Sequence, residues 1–208
     1  MIDRICAFLT QKIREEMPDI DDEKAEVIYF GLQNIIGEIP KIFIVFGIAY
    51  ILGIFKLSLF TFLALFIYKG ASGGIHLKTH LGCIMLTTIF YCGIPFLSQC
   101  FILPEIIKYI VIACVWFFGM LMIKLYAPAD TEDIPILEEK VRIKKRRTAY
   151  ISFSLGLIAA IFIKDNVISN ILILANLFQT ITITKFIYKL AKNKYGYEVY
   201  GNTSSGVV

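Results

Sequence analysis

The stretch Gly70-Ala-Ser-Gly-Gly-Ile-His-Leu-Lys-Thr-His-Leu-Gly-Cys83 interrupts an otherwise apolar chain with glycines and polar groups. It carries both histidines of the protein, His76 and His80, followed by Cys83. A thiol becomes a nucleophile when a nearby base takes its proton, and imidazole is the usual base. These residue types therefore predict a cysteine nucleophile at the mouth of a membrane span.

His76 and Cys83 are seven residues apart. On one continuous helix they share a face but lie roughly 10 Å apart along the axis, too far for a thiol–imidazole hydrogen bond. A His76–Cys83 dyad therefore requires a broken helix. Gly70, Gly73, Gly74 and Gly82 permit one. Non-helical backbone at membrane depth is tolerated where protein or a wet cavity covers it. His80 is the rival base, three residues before Cys83 and within reach on an ordinary helical turn. Periodicity alone slightly favours it. The pattern H-x3-H-x2-C also resembles a zinc face. It lacks the glutamate of HExxH, and no other Cys/His cluster offers a fourth ligand, so no metal and no other cofactor is expected. The plain alternative is an interspan loop with solvated histidines.

Several elements must position these groups. Apolar residues make up 57% of the chain and mean hydropathy is +0.71, values that predict an all-α polytopic membrane protein. Ile2, Ile5, Cys6, Leu9 and Ile13 recur at helical spacing and predict an amphipathic helix on the membrane surface. A second helix follows Pro18 and the acidic run and extends toward Gly37. Six spans are then expected, over 39–55, 57–68, 81–103, 106–127, 149–163 and 167–188. The whole chain reads as a single membrane domain. Residues 1–38 form interfacial helices, 39–188 a six-span bundle with the segment 69–83 inside it, and 189–208 a tail that ends in a disordered stretch from Gly201. The first twenty residues carry charge throughout, which predicts no cleavable signal peptide.

The net charge of +4 is modest, and its placement is informative. Basic residues gather in the N-terminal segment, in a loop before the fifth span (Lys140 to Arg147) and after the sixth (Lys189, Lys192, Lys194). An even number of spans puts all of them on one side, so both termini and the His76–Cys83 segment are expected to be cytoplasmic. No basic face lies outside these lipid-flanking segments, which argues against nucleic acid as a partner. The five cysteines are irregularly spaced and form no disulfide framework.

The 70–83 segment resembles the active region of the AgrB (accessory gene regulator B) family, bacterial membrane cysteine endopeptidases that process quorum-sensing propeptides. Gly73-Gly74-Ile75-His76 with Cys83 seven residues later matches the family pattern. The resemblance implies that His76 is the base and Cys83 the nucleophile, which reverses the mild preference for His80. It extends to Gly31-Leu-Gln33 and to Tyr126-Ala-Pro-Ala-Asp, Pro135 and the basic run through Arg147. Lys69 stands where many members have arginine, so the charge is kept and the bidentate fork is lost. By the same resemblance, Gln33 and Lys69 are candidates for orienting His76 or touching substrate, and Gly73, Gly74 and Gly82 shape the segment. The implied partner is an AgrD-like propeptide with an acidic C-terminal tail. Its cleavage runs through a Cys83 acyl-thioester and closes a thiolactone or lactone ring. Backbone N–H groups near Gly82 and Cys83 would stabilise the oxyanion. A bacterial cell-membrane location and a homodimer are implied as well. A non-catalytic peptide permease or exporter, or a peptide-binding scaffold, is the alternative, in which Cys83 is dispensable.

Overall fold

The computed structural model describes residues 2–17, 19–77, 79–132 and 134–200. The Gly201–Val208 stretch, and the disorder expected for it, lie outside the described residues. The chain forms two units, residues 1–48 and 49–208.

In the first unit, α1 (Ile2–Glu16) turns Cys6 and Thr10 inward, one helical turn apart, and leaves Ile5 and Phe8 exposed. Helix α2 (Asp22–Ile51) starts at Asp21, whose Oδ1 accepts the Lys24 backbone N–H at 2.8 Å. That N–H first, and the Lys24 ammonium second, hold the Asp21 carboxyl below its ordinary range. Arg14 pairs with Asp22 at 2.8 Å across the turn between the helices. Separate helices before and after Gly37 were expected. Instead, α2 is continuous, with Pro40 inside it. Proline removes one ladder bond without ending the helix, which continues through the apolar residues that follow it.

The second unit is all-helical among the described residues. Helix α3 (Phe55–Ser72) continues past Tyr68 into the glycine region, which gives the short second span a fuller length, and stops at the left-handed Gly73. Helix α4 (His80–Thr88) passes through a π-helical turn (Ile89–Gly93) into α5 (Ile94–Gln99). Then come α6 (Glu105–Tyr126), α7 (Glu139–Phe162), α8 (Asn166–Thr182), α9 (Lys185–Leu190) and α10 (Gly196–Tyr200). Among the described residues, three helices are long and apolar enough to cross a membrane: α3, the stretch Leu81–Gln99, and α6. Only a third or less of their apolar windows is buried inside the protein. Their outward residues, such as Phe66, Ile89 and Phe117, need a non-aqueous neighbour. The basic run expected in a loop lies instead on the first turns of α7. Its Glu, Lys and Arg are good helix formers and nothing breaks the helix before Phe162.

Helix α8 is apolar but shorter, and it is the centre of the unit, packed by α3, α5, α6 and α7. It buries polar residues as well as aliphatic ones, and each is partnered. Asn170 donates to the carbonyls of Ser98 and Phe101, at 3.3 and 2.9 Å. Thr180 donates to Asn176 O at 2.8 Å, leaving its oxygen to accept from Tyr68 at 2.7 Å. Helices α6 and α7 meet closely because Gly119 faces the Phe153 ring, and any Cβ at Gly119 would overlap it.

Two predictions follow from this packing. Gly119→Val overfills the α6–α7 contact and costs about 1–3 kcal/mol. It is read as a lowered melting temperature in detergent, partly recovered by adding Phe153→Leu. At the start of α2 the folded-state carboxyl of Asp21 is lowered. Its stabilising effect is therefore present above the unfolded-state carboxylate range and lost as pH falls through the folded-state range. Protection factors at Lys24 and Ala25, taken relative to the intrinsic exchange rate at each pH, should fall on acidification, and Asp21→Ala should show the lower protection already at neutral pH.

Candidate functional site

The chain reverses after α3 on two glycines, Gly73 at φ 76° and Gly74 at φ 149°. Both values lie where side chains are disfavoured. At Gly73 a Cβ would also collide with the Ala129 carbonyl. Backbone pairing explains the close approach: Ala129 N–H donates to Ser72 O at 2.7 Å, and Gly74 N–H donates to Ala129 O at 3.0 Å. From α8, the Gln179 amide donates to Gly73 O at 2.7 Å and to Ser72 Oγ at 3.0 Å. From α9, the buried Tyr188 hydroxyl lies 2.8 Å from Ala129 O, 3.1 Å from Gly74 O and 3.2 Å from Asp130 O, one proton facing three acceptors.

The loop containing Ala129 is in turn held by the basic run. Arg146 Nε donates to Ala127 O at 2.7 Å, and Lys145 reaches Gly70 O at 3.3 Å. Arg142 bonds Ile136 O and pairs with Asp130 at 3.2 Å. The Asp130 side chain is fully buried. Its Oδ2 also accepts the Ile136 N–H, and its Oδ1 has no partner among the described residues. Tyr195 stacks on Tyr188 at 4.1 Å between ring centroids and donates to Ile183 O at 2.8 Å. Burial first, and the adjacent Tyr126 phenol second, push the Tyr195 hydroxyl above its usual range, so it remains a donor.

Beyond Gly74 the backbone is irregular through Leu77. The exposed His76 lies on this stretch, and its N–H donates to Asn193 Oδ1 at 3.0 Å. Helix α4 then starts from Thr79, an extended N-cap whose hydroxyl accepts the Gly82 N–H at 3.2 Å. A Cβ on Gly82 would come within 2.8 Å of that hydroxyl. Cys83 lies half-buried in the first turn, its N–H donating to Thr79 O at 3.0 Å. No continuous helix joins His76 to Cys83. The spacing that would put His76, His80 and Cys83 on one zinc-binding face is therefore not formed. Among the described residues no cluster of His, Cys, Asp and Glu is placed to hold a metal.

Oxyanion donors are expected among the N–H groups near Gly82 and Cys83; those of Gly82 and Cys83 themselves are bonded to Thr79. This is the ordinary consequence of a capped helix start, which the N-cap threonine imposes. Lys69 ends α3 with its ammonium 5.6 Å from the Tyr91 ring centroid. The side chains of Gln33 and His80 lie outside the described residues. Gln179, Tyr188 and Asn193 were not singled out from the sequence. Gln179 left a trace, a carboxamide that with Asn170 and Asn176 interrupts the apolar sequence of α8. Tyr188 and Asn193 left none, since their partners are backbone atoms far away in sequence.

Apolar spans around a glycine-broken segment, with a cysteine at a capped helix start, define a helical membrane protein with a reactive-thiol candidate. A sequence model of the AgrB family, accessory gene regulator B, matches residues 6–183, and the chain belongs to that family. An AgrB-like protein of Listeria innocua serovar 6a is 31% identical over 182 residues, covering 86% of this chain and 87% of the relative. One from Listeria monocytogenes serovar 1/2a is 30% identical over 184 residues, with the same coverage of both chains. One from Clostridium acetobutylicum is 26% identical over 165 residues, covering 79% of this chain and 77% of its own. No solved structure matches the chain.

Tyr188→Phe removes the donor facing three carbonyls at the glycine turn. It should cost about 1–3 kcal/mol, the price of leaving buried acceptors unpaired. The loss is measured as a lower melting temperature together with faster deuterium uptake in peptides covering 72–77.

Proposed function

We propose that this chain is a membrane cysteine endopeptidase that removes the C-terminal tail of an AgrD-like autoinducer propeptide and promotes ring closure. Family membership ties the chain to the accessory gene regulator quorum-sensing system. The observation that carries the finer reading is the break between α3 and α4. It leaves His76 on irregular backbone while Cys83 occupies the first turn of a helix, the condition that a direct dyad requires.

In this reading the chain crosses the membrane six times, with the C-terminal half of α2, α7 and α8 joining the three long spans. The basic segments and both termini face the cytoplasm. His76 takes the Cys83 proton, and sulfur adds to the carbonyl of the peptide bond that follows the future signal sequence. The oxyanion takes donors from the first residues of α4, His80 and Leu81, which precede the first helical ladder bond. The C–N bond then breaks, His76 returns its proton to the departing amine, and the acyl group stays on Cys83 as a thioester. A Cys or Ser side chain within the peptide attacks that thioester. The enzyme's C–S bond breaks as the ring's thioester or ester bond forms, and the proton released by the nucleophile restores the Cys83 thiol. Exchange of one thioester for another is nearly balanced, so no nucleotide is consumed. Exclusion of water protects the acyl-enzyme from hydrolysis.

The test is co-expression with an acidic-tailed AgrD-like propeptide, followed by mass spectrometry of the peptide. Tail removal should persist in wild type and His80→Ala. It should fall by more than about a thousandfold in Cys83→Ala and His76→Ala, the scale seen when a nucleophile or its base is removed. Tail removal that survives Cys83→Ala would falsify the reading and favour a transport or scaffold role.

A further inference from the structure

We infer that Asn193 is a positioning residue for His76, and that residues 185–200 form a clamp that sets where the proposed base stands. The inference rests on the reading of His76 as the base and deepens it, because it concerns what places that base rather than what the base does.

From Ile75 to Leu77 no helix or strand ladder holds the backbone. The nearest anchors are Gly74, bonded to Ala129, and Thr79, the cap of α4. Midway between them, the His76 N–H donates to the Asn193 side chain across 117 residues of sequence. A backbone bond at the Cα that bears the imidazole fixes the origin of that side chain without occupying either ring nitrogen.

Asn193 is itself held by a specific local structure. At the end of α9, Lys192 N–H donates to Lys189 O at 3.1 Å and Asn193 N–H donates to Tyr188 O at 2.9 Å. This is a Schellman pair, with Lys192 at the left-handed position that glycine usually fills. Lys192 has φ 55°, the one non-glycine residue with positive φ among the described residues. Such strain persists where surrounding contacts over-determine it. Here those contacts are visible. Tyr188, in the same short helix, bonds the carbonyls of Gly74 and Ala129 and stacks on Tyr195. Gly74, His76 and Asn193 are thereby tied to one another through α9. The match to the family model ends at residue 183, so the clamp lies beyond the segment by which family membership is established.

Proton transfer needs the imidazole within hydrogen-bond reach of the thiol. Misplacement of a reacting group by about 1 Å can cost roughly a hundredfold in rate. Loss of the tether should therefore reduce turnover rather than substrate binding. It should also loosen the thiolate–imidazolium pair, so that a higher pH is needed to reach the reactive form.

The experiment uses the full chain in detergent or nanodiscs with an acidic-tailed AgrD-like propeptide, and counts active enzyme by alkylation of Cys83. Asn193→Ala should lower kcat per labelled site by roughly 10- to 100-fold, leave KM unchanged and move the acid limb of the pH–rate profile upward. Asn193→Asp keeps the acceptor oxygen and should restore most of the rate. Asn193→Ser is the milder truncation and gives the same signature where alanine lowers the yield. Loss of labelled sites with an unmoved acid limb means a purely structural role and overturns the inference. Wild-type kinetics in Asn193→Ala overturns it too, while Cys83-dependent cleavage leaves the endopeptidase reading standing. Cleavage that survives Cys83→Ala removes both.

Discussion

The backbone pairing of Ser72 and Gly74 with Ala129 is the constraint on which the second unit turns. Helix α3 must end abruptly, and the chain must leave it without stranding amide groups where water is scarce. The short parallel bridge satisfies those groups only because Gly73 has no Cβ to strike the Ala129 carbonyl. Everything that fixes Ala129 therefore fixes the start of the segment that carries His76. Everything that fixes the remaining carbonyls, Gln179 and Tyr188 above all, rigidifies the same turn.

Several polar groups of this apolar protein share one task. They cap backbone atoms that irregular structure would otherwise leave unpaired. Gln179 and Asn170 reach from α8 to carbonyls at chain reversals, and Thr79 serves the exposed start of α4. The basic run near the start of α7 obeys the same logic. Arg142, Lys145 and Arg146 bond carbonyls at Gly70, Ala127 and Ile136, so they build the loop as well as contributing to the charge pattern. A guanidinium suits this work because its several donors have fixed directions. The buried Asp130 is tolerated because Arg142 and the Ile136 N–H meet one of its oxygens.

The proposed chemistry at Cys83 is constrained by the same cap that creates the helix start. Thr79 uses the N–H groups of Gly82 and Cys83, so in that reading donors for a developing negative charge come from earlier in the turn. A glycine at position 82 lets the cap close, since any side chain there would press on the threonine hydroxyl.

The sequence by itself determined the helical class, the apolar spans, the interruption at Gly70–Cys83 and the chemical identity of the residues within it. These are local or compositional properties: hydropathy over a window, glycine's freedom, the pairing of thiol with imidazole. It also located the end of α3 to within a few residues, because Gly73 and Gly74 mark a conformation few other residues adopt. Only tertiary structure decided how the segment is held. Ala129, Gln179, Tyr188 and Asn193 act on backbone atoms from 55 to 117 residues away, and a hydrogen bond to a carbonyl or amide leaves no periodic mark in either partner's neighbourhood. The basic run shows the same limit. Its charge predicted a membrane edge, but whether it lay in a loop or on a helix depended on continuity with the apolar half of α7. The amides at the start of α4 show the same limit. Which amides remain free depends on where the cap closes, and that is set by the fold of 74–79 rather than by the residues of the helix.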